Sequence, residues 1–440
     1  MSKVTPDAAP GYVFIAPKRK VAQAGPMIVD NAGKLVWFHP LDTRGVADFR
    51  VQRYDGRPVL TWWRGRAPRG VGDGYYVIMS NSYREIATVT AGNGLAGDIH
   101  EFLITPRNTA LITVYRRIAK DLSPVGGPKR GSIFEGVVQE IDIASGRVLF
   151  EWHSDDHVAI SESYAKLPPA AQGGKAAPYD YFHINSVDLE PNGNLLISAR
   201  NTQAVYEIRP SDGQVLWRLG GKKSDFAMGQ GTSFAWQHDA RRQADGTITL
   251  LDNGAAPKVK EYSRAIRLDL DTERRRATLV RSYAHPRRLL ASSQANAQFL
   301  PGGHVFVGWG AQPYFTEFAQ NGRVLLDGRF GSGADSYRAY RFEWTGHPTD
   351  DPSVAVTEAE RGLITVHASW NGATLVDRWQ VLMGPAPNRL EPVASAAKSG
   401  FETAIPARTD QAFVRVRGLN ARGAILGTSR AVDLSRVGKN

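Results

Sequence analysis

Along this 440-residue chain, apolar and polar positions alternate in short runs, and the runs come in pairs around turn residues. In "INSVDLEPNGNLLISAR" (184–200), Val187 and Leu189 lead out, Leu196 and Ile197 lead back, and Asn192-Gly193 lies between them. Asn-Gly adopts the positive φ of a tight turn, so the segment predicts a β-hairpin. Two kinds of hairpin recur. One ends in an aliphatic–aromatic cluster: "MIVDNAGKLVWFHP" (27–40), "VIMSNSYREIATVTA" (77–91), "QEIDIASGRVLFEWHS" (139–154), "VYEIRPSDGQVLWRLGG" (205–221), "AIRLDLDTERRRATLVRSYAH" (265–285) and "YFTEFAQNGRVLLDGRFG" (314–331). The other kind lies between them: "FRVQRYDGRPVLTWW", "IHEFLITPRNTALITVY", "HINSVDLEPNGNLLISARN", "QHDARRQADGTITLLDNG" and "NAQFLPGGHVFVGWG". No helical periodicity longer than a turn or two competes with the strand pattern.

The repeat spacing of roughly 50–70 residues suits a propeller, and one hairpin of each kind makes a four-stranded antiparallel blade. The expectation is an all-β chain: a six-bladed β-propeller over residues 1–349, followed by a small C-terminal β-sandwich over 350–440. The N-terminal strand "GYVFIAP" joins the first repeat, and "YRAYRFEW" (337–344) supplies the strand that closes the ring. Beyond residue 350, "ITVHASWNGATLVDRWQVLMG" and "AFVRVRGLNARGAILGTSRAVDL" alternate in a stretch too short for another blade, which reads as a fibronectin- or immunoglobulin-like sandwich. The longest irregular insert, 155–180, is rich in Ala, Pro and Gly and is expected to form a lid or rim loop.

Charge and composition narrow the chemistry. Lys and Arg number 54 against 43 Asp and Glu, a net charge of +11 that favours anionic ligands. The densest basic run, 272–290, sits in no nucleic-acid module and reads as a solvated strand and loop, so no nucleic-acid partner is expected. No run of 18 apolar residues is present, so no membrane-spanning helix is expected. The start, "MSKVTPDAAPGYVFIAPKRK", lacks an apolar leader, which places the protein in the cytoplasm if Met1 is the native start. With no cysteine there is no disulfide, thiolate metal site or cysteine nucleophile. "HSDDH" (153–157) reads as exposed polar sequence, and "GGKKS" (220–224) has Leu216 where a P-loop needs its first glycine. Neither a metal nor another cofactor is expected.

Hairpin arithmetic then brings polar residues together. Taking each turn as a midpoint, His183 faces Arg200, His238 faces Asn253, and His100 faces Tyr115; the equivalent pairs are Asn296 with Trp309 and Phe49 with Trp62. If these hairpins are inner halves of consecutive blades, His100, His183 and His238 converge on one mouth of the channel with Arg200, Asn185 and Asn253 beside them. One histidine there would be read as an inter-blade hydrogen bond. Three with an arginine suit a catalytic or anion-binding centre better. Zinc is disfavoured, because no carboxylate stands at a ligand spacing and Arg200 repels a cation. An anionic tetrahedral group fits: sulfuryl transfer, like phosphoryl transfer, spreads charge over peripheral oxygens that fixed donors stabilise. A neutral imidazole can attack such a centre and later leave. Tyr181, Phe182, Trp236, Trp309 and Trp62 offer flat surfaces for an acceptor, or simply blade packing.

These same segments, with "YDYFHINSVDLEPNGNLLISARNTQAVYEI", "GQVLWRLGG" and "FAWQHDARRQADGTITLLDNG", resemble the arylsulfotransferase family over roughly residues 10–345. The resemblance implies a six-bladed propeller that moves a sulfuryl group from a phenolic sulfate ester to another phenol, without a nucleotide donor. It further implies a ping-pong route through a sulfated histidine. Carried over, His238 is the nucleophile; His183, Asn185 and Arg200 bind and polarise the sulfate, and His100 assists proton transfer or the leaving phenolate. Asn253, Tyr115, Trp309, Tyr181 and Trp236 are expected to line the substrate. Family members are often periplasmic or secreted, and some carry a disulfide; this chain departs in its missing cysteines and C-terminal domain. Alternatives that stay open are an ester hydrolase or acid–base cyclase using the same pocket, and a non-catalytic anion-binding propeller. A homodimer is compatible with this reading.

Overall fold

The computed structural model describes residues 1–42, 45–169, 177–331, 333–360 and 362–436. Among them, strands form eight small sheets, joined by a few single-turn helices. The chain is all-β, as its alternating pattern predicts.

Six of the sheets occupy residues 1–342 and follow one plan. The second sheet runs in simple order through Val46–Tyr54, Arg57–Arg66, Asp73–Met79 and Glu85–Val89. The third holds Phe102–Ile104, Thr109–Lys120, Gly131–Asp142 and Val148–His153. The fourth holds Ile184–Leu189, Leu195–Ala199, Ala204–Ile208 and Val215–Gly220. The fifth begins with His238–Arg242, Ile248–Asp252, Arg264–Asp271 and Arg276–Tyr283, and the sixth with Asn296–Phe299, Val305–Gly308, Tyr314–Phe318 and Val324–Arg329. The first sheet joins distant parts of the chain: Asp335–Phe342 pairs antiparallel with Tyr12–Lys18, followed by Met27–Val29 and Leu35–Phe38.

Strand sequences explain this packing. Leu195–Ala199 is buried throughout; Leu195 and Ile197 enter the core against the third sheet, while Leu196 enters the core against the fifth. Alternation therefore fills both faces of the sheet, which is why the strand reads as a continuous apolar run. Equivalent apolar clusters fill the other inter-sheet spaces, ending with Phe306 and Leu326 of the sixth sheet against Val13 and Ile15 of the first.

The leading strands are also joined by polar bonds. Gln52 Nε2 donates to the Phe102 carbonyl (3.0 Å), Tyr115 OH to the Ile184 carbonyl (2.7 Å), and Asn185 Nδ2 to the Gln237 carbonyl (2.7 Å). Ala297 N donates to Asp239 Oδ2 (3.2 Å), Asn296 Nδ2 to the Ala339 carbonyl (2.9 Å), and Arg338 NH1 to Asp48 Oδ1 (2.9 Å).

The two remaining sheets lie after residue 350. One contains Ser353–Glu360, Leu363–Ser369 and Glu402–Arg408; the other contains Arg378–Ala386, Arg389–Ala397, Phe413–Leu419 and Ile425–Thr428. Val366 and Ile405 of the first share a core with Trp379, Val381 and Val416 of the second. This unit touches the first two sheets through Asn371, which exchanges hydrogen bonds with the Phe38 backbone, and through Tyr83 OH, which donates to the Gly372 carbonyl (2.8 Å). Of the expected lid at 155–180, residues 170–176 lie outside the described residues. The part before them carries two short 3₁₀ turns, Ser154–Asp156 and Ile160–Glu162.

Candidate active site

The segments entering the leading strands bring three imidazoles together. The His100 and His183 rings meet edge to face with centroids 5.1 Å apart, and Tyr115 lies 5.6 Å from the first and 5.5 Å from the second. Arg200 N donates to the His183 carbonyl (2.9 Å), so the Arg200 end of the hairpin stands directly beside that histidine.

Each imidazole is oriented through Nδ1. His183 Nδ1 lies 2.5 Å from Asp180 Oδ2, and His100 Nδ1 bonds Asp98 Oδ2. Asp98 is fully buried and accepts the Gly72 amide (2.5 Å); a Cβ at Gly72 would stand 2.8 Å from Asp98 Oδ1 and 2.4 Å from the Ile99 nitrogen. Only glycine lets the backbone approach this carboxylate so closely.

His238 has a neutral partner. Asn253 Nδ2 donates to the Ala291 and Gln294 carbonyls, both at 3.1 Å, which fixes the amide orientation and turns Oδ1 toward His238 Nδ1 at 2.8 Å. Nδ1 must then carry the proton, and Nε2 keeps its lone pair. The one donor to Nε2 among the described residues is the Gln294 amide, at 3.2 Å. Burial pushes the His238 pKa well below 6.5, and the charges of Arg200, His100 and His183 lower it further, against the Asn253 hydrogen bond. Burial also lowers His183, with Asp180 opposing and His100 and Arg200 adding to the effect. Both rings are therefore neutral near pH 7.

Arg200 stacks over Trp236 with its guanidinium carbon 4.9 Å from the ring centre, and donates to Asn201 Oδ1 (2.8 Å) and the Ala256 carbonyl (3.0 Å). Among the described residues no carboxylate forms an ion pair with it. The left-handed region holds His183 (φ 55°), Trp236 (φ 56°), Asp239 (φ 59°) and Gln294 (φ 65°), a concentration of non-glycine strain at and next to the histidines.

Beneath the histidines lies a buried ionic layer. Glu101 meets Arg50 at 2.6 Å, Arg338 at 3.3 Å and also Arg241; Arg338 reaches Asp48 (2.9 Å), and Arg241 reaches Asp239 (2.7 Å). Burial pushes the Glu101 carboxyl up, but the three guanidinium groups outweigh it and hold the pKa at about 2. Glu101 follows His100 and Asp239 follows His238, so this layer anchors the backbone of two of the imidazoles. A cavity of about 650 Å³ is bordered by Arg50, Asp239 and Arg241 of this layer together with Arg53, Asn108 and Gln243.

The expected residues divide. His100, His183, His238, Arg200 and Tyr115 lie together, with Asn253 bonded to His238 and Trp236 stacked on Arg200. Asn185 ties the fourth sheet to the fifth through its Nδ2, while its Oδ1 is buried without a partner. Tyr181 and Trp309 are set apart. Tyr181 packs between the third and fourth sheets with its hydroxyl on Ser154 Oγ (2.8 Å), because the left-handed turn at His183 breaks the alternation that flanking aromatics would follow. Trp309 is buried between the fifth and sixth sheets, its indole N–H on Thr316 Oγ1 (3.0 Å). Asn296 pairs with Gly308 rather than Trp309, and a shift of one residue turns a side chain to the opposite face.

Asp98, Asp180 and Gln294 were missed from the sequence. "DIH" and "DYFH" do place an acid two or three residues before His100 and His183, a spacing that could have marked the aspartates. Gln294 carries no such signal, since its contact to His238 spans the fifth and sixth sheets. Among the described residues, no group of three or more His, Cys, Asp or Glu is arranged to hold a metal ion.

Comparison with known proteins bears on this geometry. The family model for arylsulfotransferase (ASST) matches residues 50–331, a span that contains all three histidines and Arg200. The chain belongs to the arylsulfotransferase family, and with it to the sulfotransferase enzymes. A search of curated proteins finds no match. Among solved structures, the chain is similar to a protein of unknown function from Bacteroides caccae, at 14% identity and TM-score 0.44 over 76% of this chain and 100% of that one. It is also similar to virginiamycin B lyase from Staphylococcus aureus, at 10% identity and TM-score 0.37 over 80% of this chain and 91% of that one.

Proposed function

We propose that this protein is an arylsulfate sulfotransferase that works by a ping-pong mechanism through a sulfated His238. The observation that carries the reading is the lone pair of His238 Nε2, fixed by Asn253 and set beside an Arg200 that has no carboxylate partner among the described residues. A depressed pKa keeps His238 unprotonated at neutral pH, as a nucleophile requires.

In the first half-reaction Nε2 parts from the Gln294 amide and attacks the sulfur of a phenolic sulfate. The N–S bond forms, the S–O bond to the phenol breaks, and the phenol oxygen leaves with the electron pair. Arg200 holds the peripheral sulfuryl oxygens. His100 and His183 flank the same space, their rings oriented through Nδ1 by Asp98 and Asp180. In the second half-reaction an acceptor hydroxyl attacks the same sulfur and the electron pair of the N–S bond returns to Nε2. No cofactor takes part in this scheme.

The scaffold we propose is a closed six-bladed propeller over residues 1–349, with a fibronectin- or immunoglobulin-like sandwich over 350–440. The shared plan of the six sheets, the bonds between their leading strands and the pairing of Asp335–Phe342 with Tyr12–Lys18 support it. In that frame the histidines open on one mouth and the ionic layer blocks the channel below them.

The test is product partitioning. With p-nitrophenyl sulfate, wild type should sulfate an added phenol and release nitrophenol faster as the phenol concentration rises. His238→Ala should abolish both. Arg200→Ala should raise the KM for the donor at least tenfold, the scale of one lost charge-assisted contact, and leave folding intact. Free sulfate released at the same rate with or without phenol would instead identify a hydrolase. Turnover retained in His238→Ala would refute the nucleophile.

A further inference from the structure

The proposed mechanism assigns donors to the sulfuryl oxygens and leaves the bridging phenol oxygen without one. His100 and His183 turn their Nδ1 atoms to Asp98 and Asp180, His238 offers a lone pair, and an arginine does not release its proton at any working pH. A second set of groups meets the histidines from the first sheet. Lys18 ends the strand Tyr12–Lys18 with its Nζ 5.6 Å from the centre of the Tyr337 ring, and that ring meets His100 edge to face at 5.6 Å. Among the described residues the buried Tyr337 hydroxyl has no hydrogen-bond partner, and the same holds for Asp335 Oδ1 and Gln294 Oε1. Such unpartnered polar atoms are costly unless something else occupies the space between them.

The same loop fastens this set to the nucleophile. Gln294 N donates to His238 Nε2, and the next amide, Ala295 N, donates to the Tyr337 carbonyl (3.0 Å). Lys18 stands opposite Asp335 in the strand pairing, yet it is Arg19 that approaches the Asp335 carboxylate, at 3.6 Å. Among the described residues the Lys18 ammonium has no ion pair and no hydrogen bond. Charged groups around it are Asp335, Arg19 and, across the Tyr337 ring, Arg338.

We infer that Lys18 and Tyr337 form the site for the phenol oxygen, with Lys18 carrying the proton that the two half-reactions exchange. This inference rests on the sulfohistidine mechanism proposed above. As the S–O bond of the donor breaks, the Lys18 ammonium gives its proton to the departing phenolate and becomes a neutral amine. As the acceptor attacks, that amine takes the proton of the acceptor hydroxyl and the ammonium is restored. The Tyr337 hydroxyl donates a hydrogen bond to the same oxygen in both steps. Burial lowers the Lys18 pKa to about 8, with Asp335 opposing and Arg19 adding to the effect, which suits a group that must release and regain a proton near neutrality. Burial raises the Tyr337 pKa well above 10, so its hydroxyl stays protonated throughout.

The experiment compares kcat/KM for the donor, which reads the first half-reaction alone, in sulfuryl transfer to a fixed acceptor from p-nitrophenyl, phenyl and p-methoxyphenyl sulfates, in wild type, Lys18→Met and Lys18→Arg. Nitrophenolate leaves readily without a proton; the other two phenolates do not. Lys18→Met should lose about tenfold with p-nitrophenyl sulfate and more than a hundredfold with the other donors, within the range general acid catalysis supplies. Lys18→Arg keeps the charge but cannot release the proton, so it should retain the wild-type KM and show the same steepened dependence on the leaving group. Equal losses across all three donors, or no loss, would overturn the inference. Wild type is the control for the parent mechanism: failure there to transfer from any donor would refute the sulfotransferase reading, whereas transfer in wild type with a flat Lys18→Met series refutes Lys18 alone.

Discussion

Glu101→Gln removes the one carboxylate that faces three guanidinium groups at once. In the native layer Arg50, Arg241 and Arg338 face Asp48, Glu101 and Asp239, with Asp188 at its edge 3.7 Å from Arg241; the variant takes away the carboxylate that all three guanidinium groups share. A carboxyl held at about 2 in the folded chain, against 4.5 when unfolded, contributes about 3 kcal/mol at neutral pH. Breaking a buried ion pair from one side typically costs about 3–5 kcal/mol, the same scale. The sign fixes the pH window. Because the folded pKa is depressed, the stabilisation is full above 4.5 and is lost as pH falls toward 2. Denaturant unfolding of wild type and variant at pH 7 should therefore differ by about 3 kcal/mol, and the gap should shrink to less than half by about pH 3. A difference under about 0.5 kcal/mol at pH 7, or one that does not narrow in acid, would show that Glu101 is not the keystone of the layer.

Two other outcomes follow from the orientation of His238. Asn253→Ala removes the acceptor that fixes the Nδ1–H tautomer; kcat should fall by about a hundredfold in steady-state assays, while Asn253→Asp, which keeps the oxygen, should retain more activity and shift the acid limb upward. Since burial and Arg200 depress the His238 pKa, the nucleophile stays unprotonated below pH 6.5, and kcat/KM should hold its plateau into that acid range before declining. In Arg200→Ala the limb should move to higher pH, because one of the charges that lowers the His238 pKa is gone.

Much of this arrangement was legible in the chain. Alternation and turn chemistry gave the hairpins around Asn192-Gly193 and Asp245-Gly246, since a period of two and a positive-φ glycine leave little choice of local structure. Counting outward from those turns brought His183 to Arg200 and His238 to Asn253. The method failed where the backbone leaves the ideal ladder. The fifth sheet's pairing shifts between His238 and Arg241, so the Cα partner of His238 is Leu251 and Asn253 arrives only through its side chain. Trp309 missed by a single register step. Lys18, Gln294, Asp335 and Tyr337 were beyond reach for another reason: Tyr337 meets His100, Gln294 meets His238 and Asp335, and Lys18 meets Tyr337, all between segments far apart in the chain, and no local pattern records such contacts.

The central claim is that His238 carries the sulfuryl group between donor and acceptor. The direct measurement is intact-mass spectrometry after brief mixing with p-nitrophenyl sulfate and no acceptor, for wild type and His238→Ala. A single sulfuryl adduct on wild type only, mapped to the peptide containing His238 and discharged by added phenol, is the predicted result. Nitrophenol released with no adduct on wild type, or an adduct that persists in His238→Ala, would contradict it.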